Sequence, residues 1–353
     1  MNLKSLKYCG LLSAVMGAVF LTSASDACTR VLHVSKEQKE VITGRNMDWY
    51  VRYPSTFWKF PRGIQRNGLT RENPIEWVSK YGSLALVQTT AGQSAIADGM
   101  NEKGLVANLL YLSETVYPKR DIKKEGVATS TYLQYILDNF ATVKEAVDAL
   151  SKDTIQIVPV PIPNSDKLPT MHVSISDASG DSAIVEFLDG KTVIHHSREY
   201  DVMTNSPIFE KQIALNEYWS EIGGNTFLPG TRRSADRFVR AKYYNKMLPE
   251  AKNYREAVAS MMSVLRNTSS PFGDPDPNRP NISKTLWRIV DDQSNLVSFY
   301  ESTLSPSVVW VKMKEFDFSK GSAVKSLDLE DYTLTGDITK AFKENKIIQY
   351  AKP

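Results

Sequence analysis

A cysteine at the start of a mature chain would carry a nucleophile and a base in one residue, and Cys28 sits where a secretion signal would end. A free α-amino group titrates at about 7.7–8.0 and a thiol at about 8.5. The amine can therefore take the proton of its own thiol near neutral pH, the logic of N-terminal-nucleophile amide hydrolysis. Such a site needs an acceptor for the amine and a cation near the sulfur. It also needs donors aimed at the oxyanion of a tetrahedral intermediate.

The block Gly44-Arg45-Asn46-Met47-Asp48-Trp49 offers the first two parts. Thr29 to Ser35 and Glu40 to Thr43 are β-rich and flank the polar turn Lys36-Glu37-Gln38-Lys39. They predict a hairpin whose return brings residues 45–48 beside Cys28. Arg45 is then a candidate thiolate stabiliser and Asp48 a candidate acceptor for the amine. The same two residues, at i and i+3, also read as an ordinary surface ion pair. Asn205, in Met203-Thr204-Asn205-Ser206-Pro207, offers either a cleft amide or plain turn chemistry. Asp236-Arg237-Phe238-Val239-Arg240 opens a helix from which one arginine could face a pocket or solvent.

Met1 to Ala27 has a basic start (Lys4, Lys7), the apolar run Leu11 to Thr22, and small residues at Ser25 and Ala27. This is the pattern of a secretory signal, with an apolar stretch too short to span a bilayer comfortably. The expectation is a signal peptide over 1–27, cleavage at Ala27-Cys28, and a single domain over 28–353, periplasmic or secreted. Cleavage would remove Cys9 and leave Cys28 as the lone cysteine. A competing reading is a lipid-anchored, non-enzymatic surface protein acylated on Cys28. Lipoprotein processing usually wants an aliphatic residue at the position occupied here by Ser25.

Removing Lys4, Lys7 and Asp26 changes 43 basic and 40 acidic residues to 41 and 39. That near-balance argues against nucleic acid as a partner and against a charge-driven membrane surface. No stable membrane insertion is expected after cleavage. A lone cysteine also rules out an intrachain disulfide, so stability must come from the core.

The elements that must position these residues read as strands bracketing helices. β-like runs cover Ser83–Thr90, Leu105–Leu112, Met171–Ser176, Ala183–Leu188 and Thr192–His195. Asp177–Asp181 and Asp189-Gly190-Lys191 are turns of an antiparallel meander. Apolar residues at helical spacing mark Tyr132–Leu150, Ser234–Met247 and Tyr254–Leu265. Trp287–Asp291, Val297–Glu301 and Ser307–Met313 return to β pattern, while the proline-rich Pro271–Pro280 reads as a surface loop. The fold class expected is α+β, with mostly antiparallel sheets.

Cys28-Thr29-Arg30, GRNMDW, Asp98 to Leu105 (DGMNEKGL), MTNSP and the LPG…DRFVRA block occur in this order. Together they resemble the choloylglycine hydrolase family, which comprises bile salt hydrolases and penicillin V acylases. The resemblance implies an αββα sandwich of two antiparallel sheets between helical layers, commonly a tetramer. It assigns nucleophile and base to Cys28, and supporting roles to Arg45, Asp48, Asn205 and Arg237. It also places an oxyanion or substrate contact at Tyr111, where penicillin V acylases often have tyrosine and bile salt hydrolases usually asparagine. A backbone N–H there can serve the oxyanion whatever the side chain.

The expected partner is a small-molecule amide with an apolar acyl group. Trp49, Tyr53 and Phe57, with Tyr50 and Trp58 beside them, could line an acyl pocket or sit in the core. Glycine- and taurine-conjugated bile salts come first among the substrates, with penicillin V and acyl-homoserine lactones as alternatives. His33, His172, His195 and His196 lack metal-ligand spacing, and adjacent strand residues point to opposite faces. No metal and no cofactor are expected.

Overall fold

The protein is described by a computed structural model covering residues 28–37, 39–162, 168–223, 226–271 and 283–353. The predicted signal Met1–Ala27 and nearly all of Pro271–Pro280 lie outside these residues.

The expected hairpin is present as β1 (Thr29–Val34) and β2 (Val41–Trp49). Its register sets Thr29 against Asn46 and Arg30 against Arg45. The GRNMDW block is the second half of β2 rather than a segment following it. Every residue of β2 is buried because both of its faces are covered. Side chains alternate across a strand, so even and odd positions meet different neighbours. On the even face, a Cβ at Gly44 would lie 2.8 Å from the Met261 sulfur, and Asn46 Nδ2 donates to Leu265 O at 2.8 Å. On the odd face, Thr43 Oγ1 meets Ser176 Oγ at 2.7 Å.

These two faces reflect two stacked sheets. The first has the order Val202–Met203, β1, β2, Lys284–Asp292, Val297–Ser302, Val308–Lys312 and Gly336–Asp337. All its pairs are antiparallel except the last. The second runs Lys191–His196, Ser182–Leu188, Met171–Ser176, Val106–Tyr111, Gln93–Asn101, Ser83–Thr90, Ser55–Phe60, Lys325–Asp328 and Lys343–Glu344. Period-two burial shows on the central strand Ser83–Thr90. Leu84 and Leu86 join the core shared with the first sheet, whereas Ala85 and Val87 face the opposite layer.

Helices α1 (Tyr132–Asn139) and α2 (Val143–Leu150) cover the second sheet. Helices α3 (Phe209–Ile222), α4 (Ser234–Lys246) and α5 (Tyr254–Asn267) lie on the side of the first, giving the expected αββα layering. The helical pattern over Tyr132–Leu150 is broken in two. Phe140 is extended, Thr142 caps α2 by accepting from Glu145 N, and Asn101 Nδ2 takes the carbonyls of Leu137 and Phe140. Satisfied ends make that break inexpensive. Helix α3 has no counterpart in the sequence pattern, because it buries only Phe209 and Gln212 and so carries no apolar stripe.

Candidate active site

Cys28 lies at the threshold of β1, 2% exposed. Its backbone N–H donates to Asn205 Oδ1 at 2.5 Å; in the chain as sequenced, that nitrogen is bonded to Ala27. The sulfur sits 3.9 Å from Arg45 Nη2 and 3.7 Å from the Asp48 carbonyl oxygen. Burial pushes the Cys28 thiol up, Arg45 opposes that, and Asp48 adds to it.

Arg45 is held from three sides. Its Nη1 donates to Ala97 O at 2.7 Å and to Asp98 Oδ2 at 3.0 Å, and its Nη2 donates to Leu109 O at 2.6 Å. The guanidinium also stands 5.1 Å from the centre of the Trp287 ring, a cation–π distance. Its counter-ion is Asp98, itself fixed by Asn108 Nδ2 at 2.9 Å. An ion pair with Asp48 does not form, since residues three apart on a strand face opposite ways. Asp98 was visible in the DGMNEKGL block, but nothing in its spacing marked it as the partner of Arg45.

Asp48 faces the helical layer. Thr285 Oγ1 donates to its Oδ1 at 2.5 Å, and Arg237 Nη1 lies 4.0 Å from Oδ2. Among the described residues, Oδ2 accepts no hydrogen bond. Burial raises the Asp48 carboxyl to about 6, against the pull of Arg237.

Arg237, from the first turn of α4, ties this corner together. Its Nη1 donates to the Cys28 carbonyl at 2.5 Å and to Thr29 Oγ1, and its Nη2 donates to Asn205 Oδ1 at 2.9 Å. Arg240, the other arginine of that block, instead binds the carbonyls of Pro229 and Thr231. The Asn205 turn is fixed by Asn205 N–H donating to Ser234 Oγ at 2.8 Å and by His172 Nε2, 2.9 Å from the Thr204 carbonyl. Sequence reasoning missed Thr285, Ser234 and this role of His172, because each acts across large separations.

Asn205 Nδ2 donates to Tyr111 O at 2.7 Å. Leu112 N–H bonds to Thr170 O at 3.0 Å on one edge of its strand. Antiparallel alternation therefore turns the Tyr111 N–H to the other edge, where its carbonyl meets Asn205. Cys28, Arg45, Met47, Trp49, Tyr53 and Tyr111 line the near part of a cavity of about 160 Å³. The Trp49 and Tyr111 rings are 5.7 Å apart. Phe57 is not among the lining residues: it is buried in the core, edge-on to Tyr300 at 5.8 Å.

Among the described residues, no group of three or more His, Cys, Asp or Glu side chains could hold a metal ion. His172 and His195 flank Glu186, and His196 pairs with Asp181. A buried thiol beside a fixed guanidinium, next to an apolar cavity, can present a sulfur nucleophile to a carbonyl carbon.

Residues 28–333 match the family model described as linear amide C–N hydrolases, choloylglycine hydrolase family. The chain belongs to the choloylglycine hydrolase family. It is therefore a linear amide hydrolase, and the match opens on Cys28. Within the family it is 41% identical to a penicillin V acylase of Pectobacterium atrosepticum over 351 residues, covering 94% of this chain and 93% of that one. A bile salt hydrolase/transferase of Clostridium perfringens is 26% identical over 332 residues, covering 86% and 93%. The solved structure of penicillin V acylase from Agrobacterium tumefaciens superposes with a TM-score of 0.84 at 45% identity, covering 92% of this chain and all of that one.

Proposed function

We propose that the protein is an exported amidase of penicillin V acylase type, with Cys28 as nucleophile once Met1–Ala27 has been cleaved away. The observation that carries this reading is the setting of Cys28: its nitrogen on Asn205, its sulfur beside Arg45, and an apolar cavity in front. The sequence favoured conjugated bile salts. Higher identity to penicillin V acylases than to the bile salt enzyme, and tyrosine at position 111, favour an aryloxyacetyl amide instead.

In this mechanism the freed α-amine accepts the thiol proton as Sγ attacks the amide carbonyl carbon. The Tyr111 N–H and the Asn205 amide stabilise the oxyanion. The resulting α-ammonium gives its proton to the departing nitrogen as the C–N bond breaks, leaving a thioester on Cys28. Water then attacks the thioester and gives a proton to the amine, the C–S bond breaks, and the ammonium returns that proton to the departing sulfur, releasing the carboxylic acid and restoring the free thiol and amine. Asp48 Oδ2, which accepts no hydrogen bond among the described residues, holds the ammonium. Arg45 steadies the thiolate, and Arg237 fixes the Cys28 carbonyl and Asn205. Trp49 and Tyr53 receive the aryl group. Association of copies is part of the reading, supported by the exposed Leu215, Tyr218 and Ile222 on α3.

Mass analysis of the secreted protein, with turnover of penicillin V, glycocholate and taurocholate on one preparation, tests the proposal. An unmodified Cys28 terminus and a preference for penicillin V are expected. A lipid adduct on Cys28, or a preference for the bile salts, would overturn it.

A further inference from the structure

The far part of the cavity is lined by Ala351, seven residues beyond the Lys343–Glu344 strand. Ala351 N–H donates to Ser94 O at 2.8 Å, and Ser130 Oγ donates to Ala351 O at 2.6 Å. Tyr350 bridges Ser94 in parallel and is 7% exposed, its hydroxyl donating to Gln134 Oε1 at 3.0 Å. Tyr350 thus anchors in the core under α1, while Ala351 lines the cavity.

The strand Gln93–Asn101 provides a ruler. Ala97 O receives Arg45, which stands beside the thiol, and Ser94 O receives Ala351. Three residues of strand separate them, with a β-bulge at Ala97, so the span falls short of the roughly 10 Å that three residues of regular strand would cover. That is room for a short acyl chain or a single aromatic ring beyond the reacting carbonyl, with a wall behind it.

We propose that Ala351 is a specificity-determining residue that sets the depth of the acyl site. The inference rests on the amidase reading above and deepens it: preferred substrates carry compact aryloxyacetyl or short-chain acyl groups, and longer chains are rejected by contact with Ala351. Ala351 is held through its own backbone N–H and carbonyl. Its side chain can therefore be changed without removing them.

The test uses the processed enzyme and p-nitroanilides of acetic, phenoxyacetic, hexanoic and decanoic acids. Ala351→Phe is expected to lower kcat/KM for the acyl groups that reach the wall by about tenfold or more relative to acetyl, the scale of one or two misfitted methylenes. Ala351→Gly is expected to shift the longest accepted chain upward. Parallel changes across the whole series in both variants would overturn the proposal. Calorimetric binding of the free acids to a processed Cys28→Ala chain separates the two inferences. A length cut-off that moves with residue 351, without any amide turnover by the unsubstituted enzyme, refutes the amidase reading and keeps the wall. Turnover with an immovable cut-off does the reverse.

Discussion

The side-chain oxygen of Asn205 lies 2.5 Å from the backbone nitrogen of Cys28, across 177 residues of sequence. The same oxygen accepts Arg237 Nη2 at 2.9 Å, so the acceptor is fixed before it meets the nitrogen. A helix, a turn and the first strand of the domain thereby converge on one atom pair.

Cys28→Ser removes the thiol and keeps every hydrogen bond made by the backbone of residue 28. The variant is expected to lose amide turnover by on the order of 10³-fold or more, the scale seen when a nucleophile is deleted. Its circular dichroism and melting temperature should match those of the parent. Full retained turnover would refute the thiol mechanism.

Arg45→Lys exchanges a fork that reaches five acceptors for a single point charge. Asp98 then faces an ammonium in place of the guanidinium nitrogen that donates to it at 3.0 Å, so the charge is kept while the fixed geometry is lost. The pH midpoint for alkylation of Cys28 by iodoacetamide should move upward, because Arg45 opposes the burial that raises the thiol. An unmoved midpoint would show that the guanidinium does not act on the sulfur.

Asp48 gives the uncleaved chain a pH signature. Its carboxyl ordinarily titrates near 3.8 and stands at about 6 in the fold. Between those values the folded chain binds more protons at this site than the unfolded one, so stability falls as pH rises through the window and then levels off. The fall is about 3 kcal/mol at about 1.4 kcal/mol per pH unit. Urea unfolding of the uncleaved chain and of Asp48→Asn from pH 4 to 7 measures it as the difference between the two curves. Identical pH dependence would show that Asp48 is not held neutral by burial.

Gly44→Ala tests the even face of β2. The new methyl would lie 2.8 Å from Met261 atoms and 3.0 Å from Leu265 Cδ1. Overpacking of this kind typically costs about 1–3 kcal/mol, to be read from denaturant midpoints. An unchanged midpoint would mean that α5 stands off the sheet more easily than its packing implies.

Much of this site was legible before any coordinates. The hairpin followed from β-rich runs around a polar turn, and its return to residues 45–48 followed from the hairpin. The family resemblance that the ordered blocks carry pointed to Asn205, Arg237 and Tyr111, and the structure joins all three through the Asn205 side chain. What stayed hidden was set by packing between elements. Asp98 meets Arg45 across the two sheets, Thr285 meets Asp48 from a neighbouring strand, and no local pattern encodes either meeting. The break between α1 and α2 depends on Asn101, a residue of another strand. Phe57 was drawn toward the site by its aromatic neighbours, but its strand position turns it into the core.

β2 carries Arg45, 3.9 Å from the Cys28 sulfur, on one face and the Asp48 carboxylate on the other. A strand that slipped by one residue would exchange those faces, sending Arg45 toward the helices and Asp48 between the sheets. A chain in that register could keep its hydrophobic content and its secondary structure yet have no chemistry at all. The ladder between β1 and β2 therefore proofreads the site's layout: pairing Thr29 with Asn46 is what sets Arg45 beside the Cys28 sulfur and Asp48 on the opposite face.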